Sequence, residues 1–366
     1  MKIVMVGQFP PHIGGVGVHI HTLSKELIKQ GHEVYVITYP HKNIKDIDGI
    51  HVIGTKGINI PGLRGLLFSI NARKALDKLT NEKEIDIIHG HYLFPAGFAA
   101  TQVGKKHGIT TYVTAHGSDM FELYAKQFYI RPIIKKVLKN ADHLLVVSQA
   151  LKDEILKTNI KGLENKIKIN WNSVDTERFK PNNDYKFKLE LEHDYNIDIN
   201  KPIILFVGNI IKRKNVKTII EAKKNMKNES TLVIVGNGPL LKSLKDYVKK
   251  NNINDVIFTG AREDIENIIP SCDMLVLPSF SESFGLVLIE ALSCSKPVIG
   301  SNVGGIREII TDDVGLLINP SSSKDLAENI DLILDDDDLR NKFISNARKR
   351  ALNFASVKIP YEELER

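Results

Sequence analysis

The stretch Ser281-Glu-Ser-Phe-Gly-Leu-Val-Leu-Ile-Glu290 sets two carboxylates, Glu282 and Glu290, at the ends of a run that is otherwise small or apolar. A helix that is apolar on almost every side belongs in a core, where a lone carboxylate is costly unless something pairs with it. Ser283 stands where it would cap such a helix, leaving the amides of Phe284, Gly285 and Leu286 directed outward, with Gly285 keeping the approach open. A carboxylate offers two acceptor oxygens and suits a vicinal diol such as ribose. The competing reading pairs Glu290 with a buried Arg or Lys.

Two further stretches suit a diphosphate. In GQFPPHIGGVGVH (7–19), Gly14, Gly15 and Gly17 precede a helix whose first amides are free to meet an anion. A dinucleotide fold would need Gly-x-Gly-x-x-Gly directly after the strand and an acid about 20 residues on. Here two prolines and Gly15-Val16-Gly17 break that spacing, and the next strand ends Ile37-Thr38-Tyr39 without an acid. NAD(P) binding is therefore not expected, while a turn that simply needs glycine stays open. In GNIIKRKN (208–215), Lys212, Arg213 and Lys214 crowd a helix entrance. Cations there oppose the helix dipole, so either a bound anion relieves them or they are solvated.

These residues must be held by a scaffold, and the pattern supplies one. At 366 residues, 42% hydrophobic and 26% charged, the chain is expected to fold as two globular domains. Short β-branched runs alternate with amphipathic segments, which predicts α/β structure with parallel sheets. The predicted strands are 2–6, 33–37, 86–89, 110–114 and 143–147, then 202–208, 231–236, 255–260, 273–278 and 297–300. The polar stretch 172–184 reads as the linker region. The expected division is an N-terminal Rossmann-like domain (1–170), a second one (171–350) facing it across a cleft, and a short tail (351–366). No apolar run is long enough to span a bilayer, and the first residues read as a strand rather than a signal peptide. Cys272 and Cys294 show no metal or redox spacing, which suits a cytoplasmic protein. The run Asp335–Asp338 reads as a solvated helix end.

Net charge is +6. Residues 1–170 carry 23 Lys and Arg against 14 Asp and Glu, whereas the remainder carries 27 against 30. A basic N-terminal half points to an anionic partner there, with solvated lysines as the alternative.

The order and strand-end placement of these motifs resemble the retaining nucleotide-sugar glycosyltransferases of family 4, which have the GT-B fold. PPHIGGVGVH is similar to the family's donor loop, TAHGSD (114–119) to its histidine motif, and GNIIKRKN to its phosphate motif. SESFGLVLIE is similar to its Glu-x7-Glu motif and GGIREII (304–310) to the glycine loop that follows. The resemblance implies that Glu290 binds ribose, Glu282 the transferred sugar, and Phe284, Gly285, Leu286, Gly14 and Gly15 the diphosphate and sugar. Lys214, aided by Arg213, would neutralise the leaving phosphate, and His116 would lie against the sugar. Asp119 and His12 would sit on the acceptor side, and the backbone at Ala261–Arg262 would border the base. Asn209 stands where the family usually has arginine, and Asn172-Ser-Val-Asp175 replaces the usual Asn-Gly-Val-Asp.

The expected activity is retaining transfer of a hexose-type sugar from a nucleoside diphosphate to an acceptor hydroxyl, without metal or other cofactor. Two alternatives are a GT-B-fold sugar-nucleotide 2-epimerase and a non-catalytic sugar-nucleotide-binding subunit. The acceptor is a glycan, lipid or small molecule. Segments 58–76 and 125–140 mix apolar residues with Arg64, Arg73, Lys74, Lys126, Arg131, Lys135, Lys136 and Lys139, which suits an anionic membrane surface or acceptor. The expected location is cytoplasmic, at the inner face of the cell membrane where that contact is made. No nucleic-acid motif is present.

Overall fold

Ile3, Val4, Met5 and Val6 are all fully buried, so the first strand, Lys2–Val6, is apolar on both faces. Such a strand belongs in the middle of a parallel sheet covered by helices on each side. The computed structural model, which describes residues 1–12, 14–57, 63–182 and 186–361, places it there. The chain divides into two units: Met1–Asn172 together with the segment from Val357, and Ser173–Ser356.

The first unit holds a seven-stranded parallel sheet. Its strands are β1 (Lys2–Val6), β2 (Glu33–Thr38), β3 (His51–Gly54), β4 (Ile87–His91), β5 (Thr110–Ala115), β6 (His143–Val146) and β7 (Ile167–Ile169). They run in the order β3-β2-β1-β4-β5-β6-β7, so the direction of winding reverses between β1 and β4. Helix Gly15–Lys29 buries Val16, Ile20, Leu23 and Leu27 against Ile3, Met5, Val34 and Val36 on one face. Helix Arg64–Glu82 buries Phe68, Ala72, Leu76 and Leu79 against Val4, Val6, Ile37 and Ile88 on the other. Gly31, at φ 83°, follows the first of these helices, and its amide donates to Ile28 O at 2.9 Å, the C-terminal role expected of it.

The second unit holds β8 (Ile203–Val207), β9 (Thr231–Val235), β10 (Val256–Gly260), β11 (Met274–Leu277), β12 (Val298–Ser301) and β13 (Gly315–Ile318). They form a parallel sheet ordered β10-β9-β8-β11-β12-β13, which reverses between β8 and β11. In open sheets of this kind, ligands bind beyond the strands' carboxyl ends at the reversal. The stretch 172–184, read as linker, is packed into this unit from Ser173 onward as far as it is described. Val174 and Phe179 are buried, and the Val174 amide donates to Phe354 O at 2.9 Å. Residues 183–185 lie outside the described residues. The run Asp335–Asp338 joins two helices, Ser323–Asp335 and Asp337–Leu352, and Asp336 caps the second by accepting from the Leu339 amide at 2.9 Å.

Three strands, β3, β7 and β13, were not anticipated, and all three are sheet edges. Their sequences, HVIG, IKI and GLLI, are three or four residues long. With one neighbour instead of two, an edge strand needs neither the length nor the continuous apolar character by which central strands are recognised.

The tail returns to the first unit. Val357 and Ile359 pack against its core, and Tyr361 is buried, its hydroxyl hydrogen-bonded to His89 Nδ1 at 2.9 Å. Replacing Tyr361 with Ala is expected to cost about 3–5 kcal/mol of unfolding free energy by opening a cavity. Tyr361→Phe, which strands only the imidazole, is expected to cost about 1–3 kcal/mol. Urea denaturation of the two variants checks both values.

Candidate functional site

In the second unit, the loops after β8 and β11 meet at the sheet's reversal. Lys212–Lys214 form a single 3-10 turn, and Asn215 follows in the left-handed conformation at φ 54°. From there the Asn215 side chain donates to Pro278 O at 3.0 Å and Pro320 O at 2.7 Å. It thereby ties the loop after β8 to the loops after β11 and β13. The Phe280 amide donates to Arg213 O, and Arg213 Nη1 donates to Ser281 O at 3.0 Å.

Lys214 and Arg213 converge on the buried Glu282. Lys214 Nζ donates to its carboxylate, and Arg213 Nη1 lies 3.5 Å from Oε1. Burial pushes the Glu282 carboxyl up, but the Lys214 and Arg213 cations outweigh it and hold it below the usual range. Neither reading of the basic cluster made from sequence is complete: Glu282 offsets one of its positive charges, and a net positive charge remains. A Cβ on Gly304 would lie 2.0 Å from Glu282 O, and one on Gly305 would lie 2.2 Å from Ser283 O. Glycine at both positions lets the loop after β12 close on this backbone, and the Gly305 amide donates to Glu282 O at 3.0 Å.

Ser283 does not cap the following helix. That helix is Leu286–Ser293, with Gly285 at its N-cap in a left-handed conformation, φ 101°. A residue with a Cβ is strained there, which is the reason for glycine. Phe284 turns its ring inward against Phe354. Leu286 begins the helix, and Asn209 is exposed just past β8. Arg262 is committed elsewhere: its guanidinium donates to Asp264 at 2.8 Å from two nitrogens and pairs with Glu190, which raises its pKa.

Glu290 differs from Glu282. Among the described residues its carboxylate makes no hydrogen bond and no ion pair; Arg178, its nearest charge influence, is engaged with Glu266 at 2.8 Å. Burial pushes the Glu290 carboxyl up to about 7, against the pull of Arg178 and helped by Glu266.

In the first unit, the corresponding reversal gathers histidines. His116, at the end of β5, shares a hydrogen bond of 3.2 Å with His91 Nδ1 on β4. His91 stacks on His89 at a ring separation of 4.1 Å. His19, from helix Gly15–Lys29, meets the rings of His91 at 5.5 Å and His116 at 5.3 Å. His89 Nε2 is hydrogen-bonded to Thr114 Oγ1 at 2.7 Å. Burial lowers all four pKa values, to about 4 for His19 and about 3 for His89, with neighbouring histidines adding to the drop for His89, His91 and His116. His116 is therefore a neutral ring with hydrogen-bonding capacity, not a cation. Only His116 was singled out from sequence. The signal for His89 and His91 was His-Gly-His at 89–91, alternate positions of one strand face at its carboxyl end; His19 had none.

Asp119 is fully enclosed. Its carboxylate accepts from the Leu93 amide at 3.0 Å and the Gly117 amide at 2.8 Å, and burial raises its pKa. It thus shapes the loop behind His116 instead of presenting a surface to an acceptor. His12 is partly exposed, with Nε2 3.3 Å from Tyr39 O. Gly14 and Gly15 stand at the start of helix Gly15–Lys29; Ile13 lies outside the described residues. Among the described residues, no group of three or more His, Cys, Asp or Glu side chains is arranged to hold a metal ion.

Two reversing parallel sheets, each with its motif residues on carboxyl-end loops, define a GT-B fold. Family models match both parts: "Glycosyltransferase Family 4" over residues 13–178 and "Glycosyl transferases group 1" over 187–350. An uncharacterized glycosyltransferase of Methanocaldococcus jannaschii is 30% identical, with 100% of this chain and 99% of that protein covered. Sucrose-phosphate synthase from Thermosynechococcus elongatus has the same fold, with a TM-score of 0.85 at 22% identity over 97% of this chain and 95% of that one. Anabaena HepE, solved in complex with UDP and glucose, gives 0.81 at 20% identity over 98% and 96%. The chain belongs to the group 1, family 4 glycosyltransferases.

Two outcomes follow for the site. Glu282→Gln leaves Lys214 without its counter-charge, an expected loss of about 3–5 kcal/mol in the ligand-free protein. An added nucleoside diphosphate is then expected to raise the melting temperature more in this variant than in the parent. An equal or smaller rise would mean that the phosphates do not reach Lys214. The buried histidines are neutral when folded and protonate when unfolded below about pH 6.5, so stability is lost as pH falls through that range. Glu290 and Asp119 act in the opposite direction, but the histidines outnumber them. Unfolding near pH 5.5 is expected to take up about two to three protons, measurable by calorimetry in buffers of different ionisation enthalpy.

Proposed function

We propose that the protein is a retaining glycosyltransferase that needs no metal. It moves a hexose-type sugar from a nucleoside diphosphate, held by the second unit, to a hydroxyl of a lipid-linked or otherwise anionic acceptor, held by the first. The observation that carries the donor reading is Glu290: a carboxylate set into an apolar helix at a ligand-binding sheet end, with no hydrogen-bond partner among the described residues. Glu290 is half-buried, and ribose hydroxyls would replace solvent on its oxygens. HepE, a protein of the same fold, was solved with UDP and glucose, which supports a nucleotide-sugar donor.

In this reading the bond from the anomeric carbon to the diphosphate oxygen breaks as the acceptor oxygen bonds that carbon from the same face. The departing phosphate takes the acceptor's proton. Lys214, with Arg213, exchanges part of its interaction with Glu282 for the leaving diphosphate, and Glu282 turns to the sugar hydroxyls. Cations fixed before the reaction stabilise the developing charge without having to reorganise. His116, uncharged and steadied by His91, offers a hydrogen bond beside the sugar. Peripheral contact with an anionic membrane is supported by exposed Leu63, Leu66 and Ile70 near Arg73 and Lys74, and by exposed Phe128 and Tyr129. Residues 58–62 of the first of these segments lie outside the described residues, and no described helix is long and apolar enough to cross a membrane.

The test is calorimetric titration with UDP, GDP and ADP, with and without a chelator, between about pH 6 and pH 8.5. A diol needs the ionised carboxylate, so affinity for one nucleotide is expected to fall about tenfold from pH 8 to pH 6. In Glu290→Gln, binding is expected to be weak and nearly independent of pH. Binding that is lost with chelator would refute metal independence, and an inverted product anomer would refute retention.

A further inference from the structure

The first unit carries a small hollow, open to solvent and lined by Tyr39, Thr55, Lys56, Arg64, Phe68 and Asn71. Its wall is a three-layer stack. Tyr39 lies on Phe68 at 3.8 Å and 14° between planes, and the Arg64 guanidinium lies 4.6 Å from the Tyr39 ring centroid. A guanidinium stacked by its face keeps its N–H edge free for a planar or tetrahedral oxyanion. Thr55 lies at the back of the hollow, 5% exposed, and its Oγ1 has no hydrogen-bond partner among the described residues. Buried hydroxyls are nearly always satisfied, so an orphan one lining an open hollow points to a missing partner.

The charge at this hollow is uncompensated. Arg64 and Lys56 make no ion pair among the described residues, no carboxylate lines the hollow, and the undescribed neighbours 58–62, Ile-Asn-Ile-Pro-Gly, include no acid. His12 lies 3.3 Å from the Tyr39 carbonyl oxygen and meets the Tyr39 ring edge-on. Burial lowers its pKa, and Arg64 and His41 lower it further, as expected in a positive field. Helix Arg64–Glu82 begins here with no acid in its first turn and no side-chain cap. A cation at that position opposes the helix dipole unless an anion sits beside it.

We propose that this hollow is an anion subsite for the acceptor, taking a phosphate or carboxylate group on Arg64, Lys56 and the Thr55 hydroxyl. The inference rests on the transferase reading, in which the first unit holds an anionic acceptor, and it adds the residues that take the anion. The anion belongs either to a small soluble acceptor or to a lipid headgroup. Exposed Leu63, Leu66 and Ile70 flank Arg64 on the same helix end and would meet the apolar part of a lipid.

The experiment measures binding of inorganic phosphate by ³¹P line broadening, with UDP, GDP or ADP saturating the donor site, in the parent, Arg64→Met and Thr55→Val proteins. Arg64→Met is expected to weaken phosphate binding about tenfold or more, and Thr55→Val about three- to tenfold, with nucleotide affinity unchanged. Phosphate binding that neither variant alters, or no binding while nucleotide still binds, overturns the subsite and leaves the donor reading standing. Arg64-dependent phosphate binding in a protein that binds no nucleotide supports the subsite and removes the donor reading. Co-sedimentation with phosphatidylglycerol vesicles then separates the sources. Arg64-dependent sedimentation assigns the subsite to a headgroup, and its absence beside Arg64-dependent phosphate binding assigns it to a soluble acceptor.

Discussion

One buried carboxylate organises the ligand face of the second unit. Glu282 is enclosed, ionised and balanced by Lys214 and Arg213, and its own backbone is the surface onto which Gly304 and Gly305 close. A charge removed from water in this way is tolerated only while its partners stay in place. The loops after β8, β11 and β12 are thus coupled: moving any one exposes an unbalanced charge or a clash at a position where only glycine fits. The site is held in register by these charges, and an anion that competes for Lys214 enters a network that still carries one positive charge in excess.

The first unit uses the opposite device. His19, His89, His91 and His116 gather where charge is excluded, and they meet as neutral rings through ring contacts and the hydrogen bond between His91 and His116. Two ligand faces built on similar sheets thus present different chemistry. One is a set of full charges with a net positive excess, and the other is a neutral cluster whose capacity lies in hydrogen bonding.

The residues of the second unit were legible because chemistry and position coincide there. Glycines that must admit a backbone, cations beside a helix entrance and acids in an apolar helix are each unusual in type, and each follows a recognisable central strand. Pairing was not legible: nothing in Lys212-Arg-Lys214 says that its counter-charge lies some seventy positions later at Glu282. Ser283 looked like a helix cap because its residue type is right, but Gly285 can adopt the left-handed turn and so starts the helix two residues later. The histidine cluster was missed for a related reason. His19 joins the others only through the packing of a helix on the sheet, a relation that sequence distance conceals. The edge strands β3, β7 and β13 fell below notice because half of their stabilising environment is solvent.

The return of the chain at Tyr361 has a consequence for how the molecule is made. The first unit is not contiguous in sequence: its core and the partner of His89 Nδ1 include residues that follow the entire second unit. During synthesis more than 180 residues separate Asn172 from Val357. At about 5–20 residues per second this is a delay of roughly 10–40 s. Throughout it the nascent first unit has a complete sheet but an unfilled place where Tyr361 will lie. That place can be filled only on chains that have been translated past the end of the second unit.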